Sequence, residues 1–136
     1  MTAAEISVTL SDADREAIQQ AALDYAEGWY NAAPDQTERS LHPHLAKRIV
    51  TKDKATGQDR LGQMSAMELV QIVRGKQTVD PVDKRIADVT ILDAYSNAAT
   101  LRVEMADWID YLHVVKFNGE WKIINVLWAL KPHREA

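Results

Sequence analysis

Apolar residues near the start of the chain recur at three- and four-residue spacing. Ile18, Ala21, Ala22, Tyr25, Ala26 and Trp29 form one stripe, with Glu16, Gln20 and Glu27 off it, the pattern of a helix with one buried face. Ser11 followed by Asp14 resembles a capping box, so this helix is expected over 12–31, stopping before Pro34. A shorter helix is expected over 35–41. It must close by His42, because a residue that precedes proline is pushed out of the helical region. In "HLAKRIVTKDKATGQDRL", Ile49 and Val50 suggest a short strand and 52–59 a polar turn. Ser65 with Glu68 forms another capping box, and Met67, Leu69, Val70 and Val73 give a helix ending at Gly75.

Beyond the loop around Pro81 the period changes to two. "RIADVTILDAY", "AATLRVEMA", "WIDYLHVVKF" and "EWKIINVLWAL" are successive strand-like runs, punctuated by "SNA" and "NG". Helices followed by an antiparallel sheet make an α+β fold. The expected organisation is an arm over 1–11, a single domain over 12–132 and a short tail over 133–136.

Asn118-Gly119 is a strong hairpin signal, since a type I′ turn needs positive φ at both central residues. A two-residue turn sets Phe117 opposite Glu120, and unbroken alternation then pairs Val114 with Ile123, Leu112 with Asn125, Asp110 with Leu127 and Trp108 with Ala129. These side chains share a face with Trp121 and, from the preceding strand, Leu101, Val103 and Met105. That face is apolar except for Asp110 and Asn125, expected roughly 6–8 Å apart on a diagonal. The other face carries Tyr111, His113 and Trp128 and suits a subunit contact. An inserted residue would turn every side chain beyond it to the opposite face.

A buried, unpartnered carboxylate costs several kcal/mol. Asp110 therefore either braces the sheet through a nearby donor or lines a cavity with Asn125 and holds a ligand's polar group. In apolar surroundings its pKa tends upward, as suits a general acid or base.

The chain has 136 residues, 46% hydrophobic and 26% charged, with a net charge of −4. This reads as a globular protein without the basic field that nucleic acid or an anionic membrane requires. It contains no cysteine, which excludes disulfides, thiol nucleophiles and Cys-based metal sites. No run approaches a membrane span and the N-terminus lacks signal-peptide character, so a cytoplasmic location is expected. No phosphate loop, nucleophile elbow or zinc-protease motif occurs, and no cofactor is expected. His42 and His44 flank Pro43 but lack a third metal ligand.

"DYAEGWYNAA", "LHPHLAKR", "MSAMELV" and "DWIDYLHVVKFNGEWKIINVLW", in this order, resemble the putative lumazine-binding family. That family lies in the nuclear transport factor 2-like (NTF2-like) superfamily, with polyketide-cyclase-like (SnoaL-like) proteins and ketosteroid isomerases. The resemblance implies a cone: a curved antiparallel sheet around the helices, a pocket at the open end and dimerisation through the outer sheet. It implies that Tyr25 and Trp29 face the sheet near Trp108 and Asp110, although aromatics at helical spacing also serve as plain core. It implies that His42, at a helix end, points into the cavity, whereas an isolated histidine is also commonly a surface or core residue.

The sequence thus supports a small-molecule-binding homodimer, its pocket formed by Tyr25, Trp29, His42, Trp108, Asn125 and Leu127 around Asp110. The alternative is an isomerase-, cyclase- or dehydratase-type enzyme with Asp110 as acid or base. A third possibility is a structural partner acting through its convex sheet. No motif fixes a reaction.

Overall fold

The computed structural model describes residues 10–134; most of the expected arm and the last two residues of the tail lie outside them. Helix α1 spans Asp12–Tyr30. Its start is set by Ser11, whose side chain accepts a hydrogen bond from the Asp14 backbone N–H at 3.0 Å. The reciprocal half of the expected box is absent. The Asp14 carboxylate instead receives Trp121 Nε1 at 3.0 Å and Lys116 Nζ at 3.1 Å, tying the helix start to the last hairpin.

Helix α2, Pro34–Ser40, begins with proline at a position where its missing N–H costs nothing. It approaches α1 closely at Gly28, where an added Cβ would lie 2.9 Å from the Thr37 backbone nitrogen. Strand β1, Leu41–Lys52, and strand β2, Asp59–Ser65, form an antiparallel pair. The sequence signals only Ile49 and Val50 in this region, because Pro43 and a polar C-terminal half break the alternation. Helix α3, Ala66–Arg74, opens with the complete Ser65–Glu68 capping box and buries Leu69, Val70 and Val73.

Strands β3 (Ala87–Tyr95), β4 (Ala98–Met105), β5 (Trp108–Phe117) and β6 (Glu120–Leu130) follow as expected. The curved six-stranded sheet has the order β2-β1-β6-β5-β4-β3. It is antiparallel throughout except where β1 runs parallel to β6. This places the helix-to-strand segment after α2 beside the chain's last strand. No helix among the described residues is long and apolar enough to cross a membrane.

The helices cover one face of the sheet. Ile18, Leu101, Met105, Leu112, Val114 and Ile123 are fully buried there, each contributing about 1.5–3 kcal/mol relative to exposure.

The hairpin register holds from Phe117–Glu120 through Val114–Ile123 and then slips. His113 pairs with Asn125, Leu112 with Val126, Asp110 with Trp128 and Trp108 with Leu130. Ile124 is the inserted residue of a bulge, and every β6 side chain after it changes face. Asn125 and Leu127 therefore project from the outer face, contrary to the expected alternation. Val126 and Trp128 turn inward, so Trp128 is not on the outer face with Tyr111 and His113.

Candidate functional site

Within this apolar interior lie three polar side chains from three elements. Tyr25 of α1 is 4% exposed, Lys47 of β1 6% and Asp110 of β5 0%. Lys47 pairs in register with Val126 and so faces inward, while Asp110 stands on β5 at the far side of β6. Strands about 4.8 Å apart leave the two charges about 10 Å apart at the backbone. Tyr25 bridges them from the helix.

Lys47 Nζ donates to Tyr25 Oη at 2.6 Å, and Tyr25 Oη donates to Asp110 Oδ1 at 3.3 Å. Trp108 Nε1 donates to Asp110 Oδ2 at 3.0 Å. Both carboxylate oxygens are thus engaged, and every proton in the chain points toward Asp110. Lys47 Nζ also sits 5.0 Å from the ring centroids of Tyr25 and of Trp128, close enough for cation–π attraction.

Burial sets the electrostatics. It raises the Asp110 pKa, a rise that Lys47's charge and the bonds from Trp108 and Tyr25 only partly offset. It raises Tyr25 well above the usual phenol value, with the Asp110 charge adding to the effect. It lowers Lys47, against the opposing pull of Asp110.

The network opens onto a cavity between sheet and helices. Its wall comprises Tyr25 and Trp29 of α1, Thr37 of α2, Lys47 of β1, Leu69 and Val73 of α3, Met105 of β4 and Trp108 of β5. The cavity holds about 10 Å³, enough for one water molecule. Trp29, Trp108 and Trp128 run along this end in edge-to-face contacts of 5.4 and 5.6 Å. Trp128 Nε1 is buried with no hydrogen-bond partner. Lys76 Nζ lies 4.1 Å above the Trp29 ring and donates to the Trp29 carbonyl at 2.6 Å.

The structure therefore brings together Tyr25, Trp29, Trp108 and Asp110. It does not bring His42, Asn125 or Leu127 to them. His42 is buried at the other end of the sheet, its Nδ1 accepting the His44 backbone N–H at 3.0 Å and its ring 4.7 Å from Phe117. Asn125 Nδ2 lies 3.1 Å from His113 Nδ1 on the outer face. Leu127 is 52% exposed. Sequence reasoning missed Lys47. The signal for it was the alternation Leu45–Lys47–Ile49, which sets a lysine on the same face as a buried leucine.

Two broader depressions, about 290 Å³ beside Tyr95, Thr100 and His113 and about 280 Å³ beside Gln20, Arg39 and Trp121, are open to solvent. The second contains Asp24, already satisfied by Arg39 at 3.0 and 3.1 Å and by Gln20 at 3.0 Å. Among the described residues no group of His, Asp and Glu is arranged to hold a metal ion.

The family model described as putative lumazine-binding matches residues 13–129. Solved structures share the fold at low identity. An NTF2-like protein of unknown function from Shewanella baltica is 18% identical, with 91% of this chain and 98% of that one covered at a TM-score of 0.70. Another from Methylobacillus flagellatus is 18% identical, covering 93% and 98% at 0.69. A ketosteroid isomerase-like protein from Erwinia carotovora atroseptica is 13% identical, covering 88% and 98% at 0.58. No curated protein sequence matches. The chain belongs to the putative lumazine-binding family and has the NTF2-like fold.

Proposed function

We propose that this protein binds a small molecule in the enclosure between Trp29, Trp108 and the Lys47–Tyr25–Asp110 network. The ligand is a flat aromatic molecule with a polar edge, a description that the fused heteroaromatic lumazine also fits. One observation carries this reading: a hydrogen-bonded pair of ionisable groups, bridged by a phenol, is buried where it meets a cavity. Burying such groups costs several kcal/mol each, and hydrophobic residues would fill the same space without that cost. The family description and the aromatic lining support it further.

The enclosure as it stands suits one water, so admission of a bicyclic molecule requires a side chain to move. Trp29 is the candidate. It is half-buried, held by an edge contact to Trp108 and by the loop residue Lys76. The ligand contacts in this reading are Tyr25, Trp29, Lys47 and Trp108, with Asp110 behind them. Two copies pair through the outer sheet face at Tyr111 and His113, with the protein working in the cytoplasm.

The second reading is an enzyme of the isomerase, cyclase or dehydratase type, without metal or cofactor. It is favoured by the raised pKa of Asp110 and by its bond to Tyr25, which let the carboxyl exchange a proton with a ligand through the phenol. Thermal stabilisation by a panel of flat bicyclic compounds including lumazine tests the binding reading, and stabilisation by no member of the panel refutes it. An Asp110→Asn variant that binds as wild type but converts no ligand would favour the enzyme.

A further inference from the structure

Lys47, rather than Asp110, is the charged residue in the cavity wall. Asp110 lies behind Tyr25 and Trp108 with both oxygens already bonded. An ammonium has three donors. Among the described residues Lys47 Nζ gives one hydrogen bond, to Tyr25 Oη, and otherwise meets the faces of Tyr25 and Trp128. The indole N–H of that same Trp128 ring is buried with no acceptor. Two neighbouring donors, of which Lys47 stands in the cavity wall, are thus short of an oxygen.

We propose that the site selects a flat aromatic ligand bearing an anionic oxygen, a carboxylate or enolate, which is received by Lys47 Nζ. The inference rests on the small-molecule-binding reading and adds the ligand's charge to it. An anion at this position replaces the hydration that Lys47 lost on burial, and in a low-dielectric wall such a pair is much stronger than at the surface. Tyr25 and Trp108 bond both oxygens of Asp110 and keep it out of direct contact with the incoming charge.

The titratable groups facing Lys47 are Tyr25 from α1 and Asp110 from β5. Helices α2 and α3 contribute Thr37, Leu69 and Val73 to the wall, and β6 sets the Trp128 ring against Lys47; none of these titrates. An arriving anion favours the protonated amine, opposing the lowering that burial imposes. Selectivity is therefore expected to weaken as pH rises through the native pKa of Lys47.

The test is a matched pair of probes, 2-naphthoate and its neutral counterpart 2-naphthamide, titrated against wild type and Lys47→Met by quenching of tryptophan emission. Wild type is expected to bind the naphthoate at least about tenfold more tightly, a gap of 1.4 kcal/mol, and Lys47→Met to bind the two alike. Equal binding of both probes by wild type, or a preference that survives Lys47→Met, overturns the charge assignment while leaving a binding site in place. Failure of both probes to bind overturns the binding reading and the charge assignment together. Should Lys47→Met not fold, the wild-type affinity ratio against pH decides. A ratio that declines as Lys47 loses its proton supports the assignment, and a flat one overturns it.

Discussion

Tyr25 Oη receives the Lys47 ammonium at 2.6 Å and passes its own proton toward Asp110, so one phenol couples two charges that the sheet holds on separate strands. Among the described residues, removing the hydroxyl leaves Asp110 with the indole of Trp108 as its one side-chain donor and Lys47 with aromatic faces alone. Tyr25→Phe is expected to cost about 2–4 kcal/mol in urea unfolding. A loss below about 0.5 kcal/mol would show that the three groups do not act as a unit.

The same network gives stability a distinctive pH dependence. Native Lys47 titrates below its ordinary value of 10.5. Between those two values the unfolded chain binds more protons, so stability rises with pH across that window. Asp110 acts oppositely in acid: its native pKa lies above 3.8, so its contribution falls as pH rises from 3.8 through the native value. Tyr25, raised above 10.0, lowers stability as pH climbs past 10. Lys47→Met is expected to abolish the alkaline rise below pH 10, measured by urea unfolding at successive pH values. Parallel curves for wild type and variant would contradict this.

Asp24 predicts a separate acid limb. Burial would raise its pKa, but the bonds from Arg39, Gln20 and Gln36 hold it below 3.8. Its stabilisation is fully present above 3.8 and is lost as pH falls through the native value. The Arg39 side chain is 62% exposed, so solvent screens the ion pair and the effect is modest. Asp24→Asn is expected to flatten the acid limb of the stability profile below pH 3.8 without changing the alkaline one. An unchanged acid limb would count against the pairing.

The bulge at Ile124 makes neighbouring positions behave oppositely. Val126 is 1% exposed and Leu127 52%. Val126→Ala is expected to cost about 1–3 kcal/mol, whereas Leu127→Lys should change unfolding stability by no more than about 0.5 kcal/mol. The reverse ranking would restore unbroken alternation and return Asn125 to the interior.

Much of this fold is legible in the chain because its signals are local. The stripe from Ile18 to Trp29, the Ser65–Glu68 box and the Asn118-Gly119 reversal each fix an element from a few adjacent residues. The inward placement of Asp110 follows from the same alternation, since β5 itself is regular. What escaped was non-local. Ile123 and Ile124 are both apolar, so the pattern does not reveal which of them is the extra residue; helix and strand contacts decide that. β1 is recruited by pairing with β6, about 80 positions away in the sequence, and no local pattern announces a parallel partner. The alternation Leu45–Lys47–Ile49 marks the face of Lys47 but not the strand it pairs with, so Lys47 was missed, and with it the partner that makes Asp110's burial tolerable.

The central claim is that the aromatic end of the sheet is a ligand site. The protein's four tryptophans provide an internal control. Trp29, Trp108 and Trp128 adjoin the cavity or its network, whereas Trp121 is tied to Asp14 at the start of α1. The direct measurement is the set of indole N–H resonances of ¹⁵N-labelled protein during titration with 2-naphthoate and lumazine. Saturable shifts of Trp29, Trp108 and Trp128 with a stationary Trp121 are the predicted result. Shifts confined to Trp121, or no saturable shift with either compound, would contradict the account.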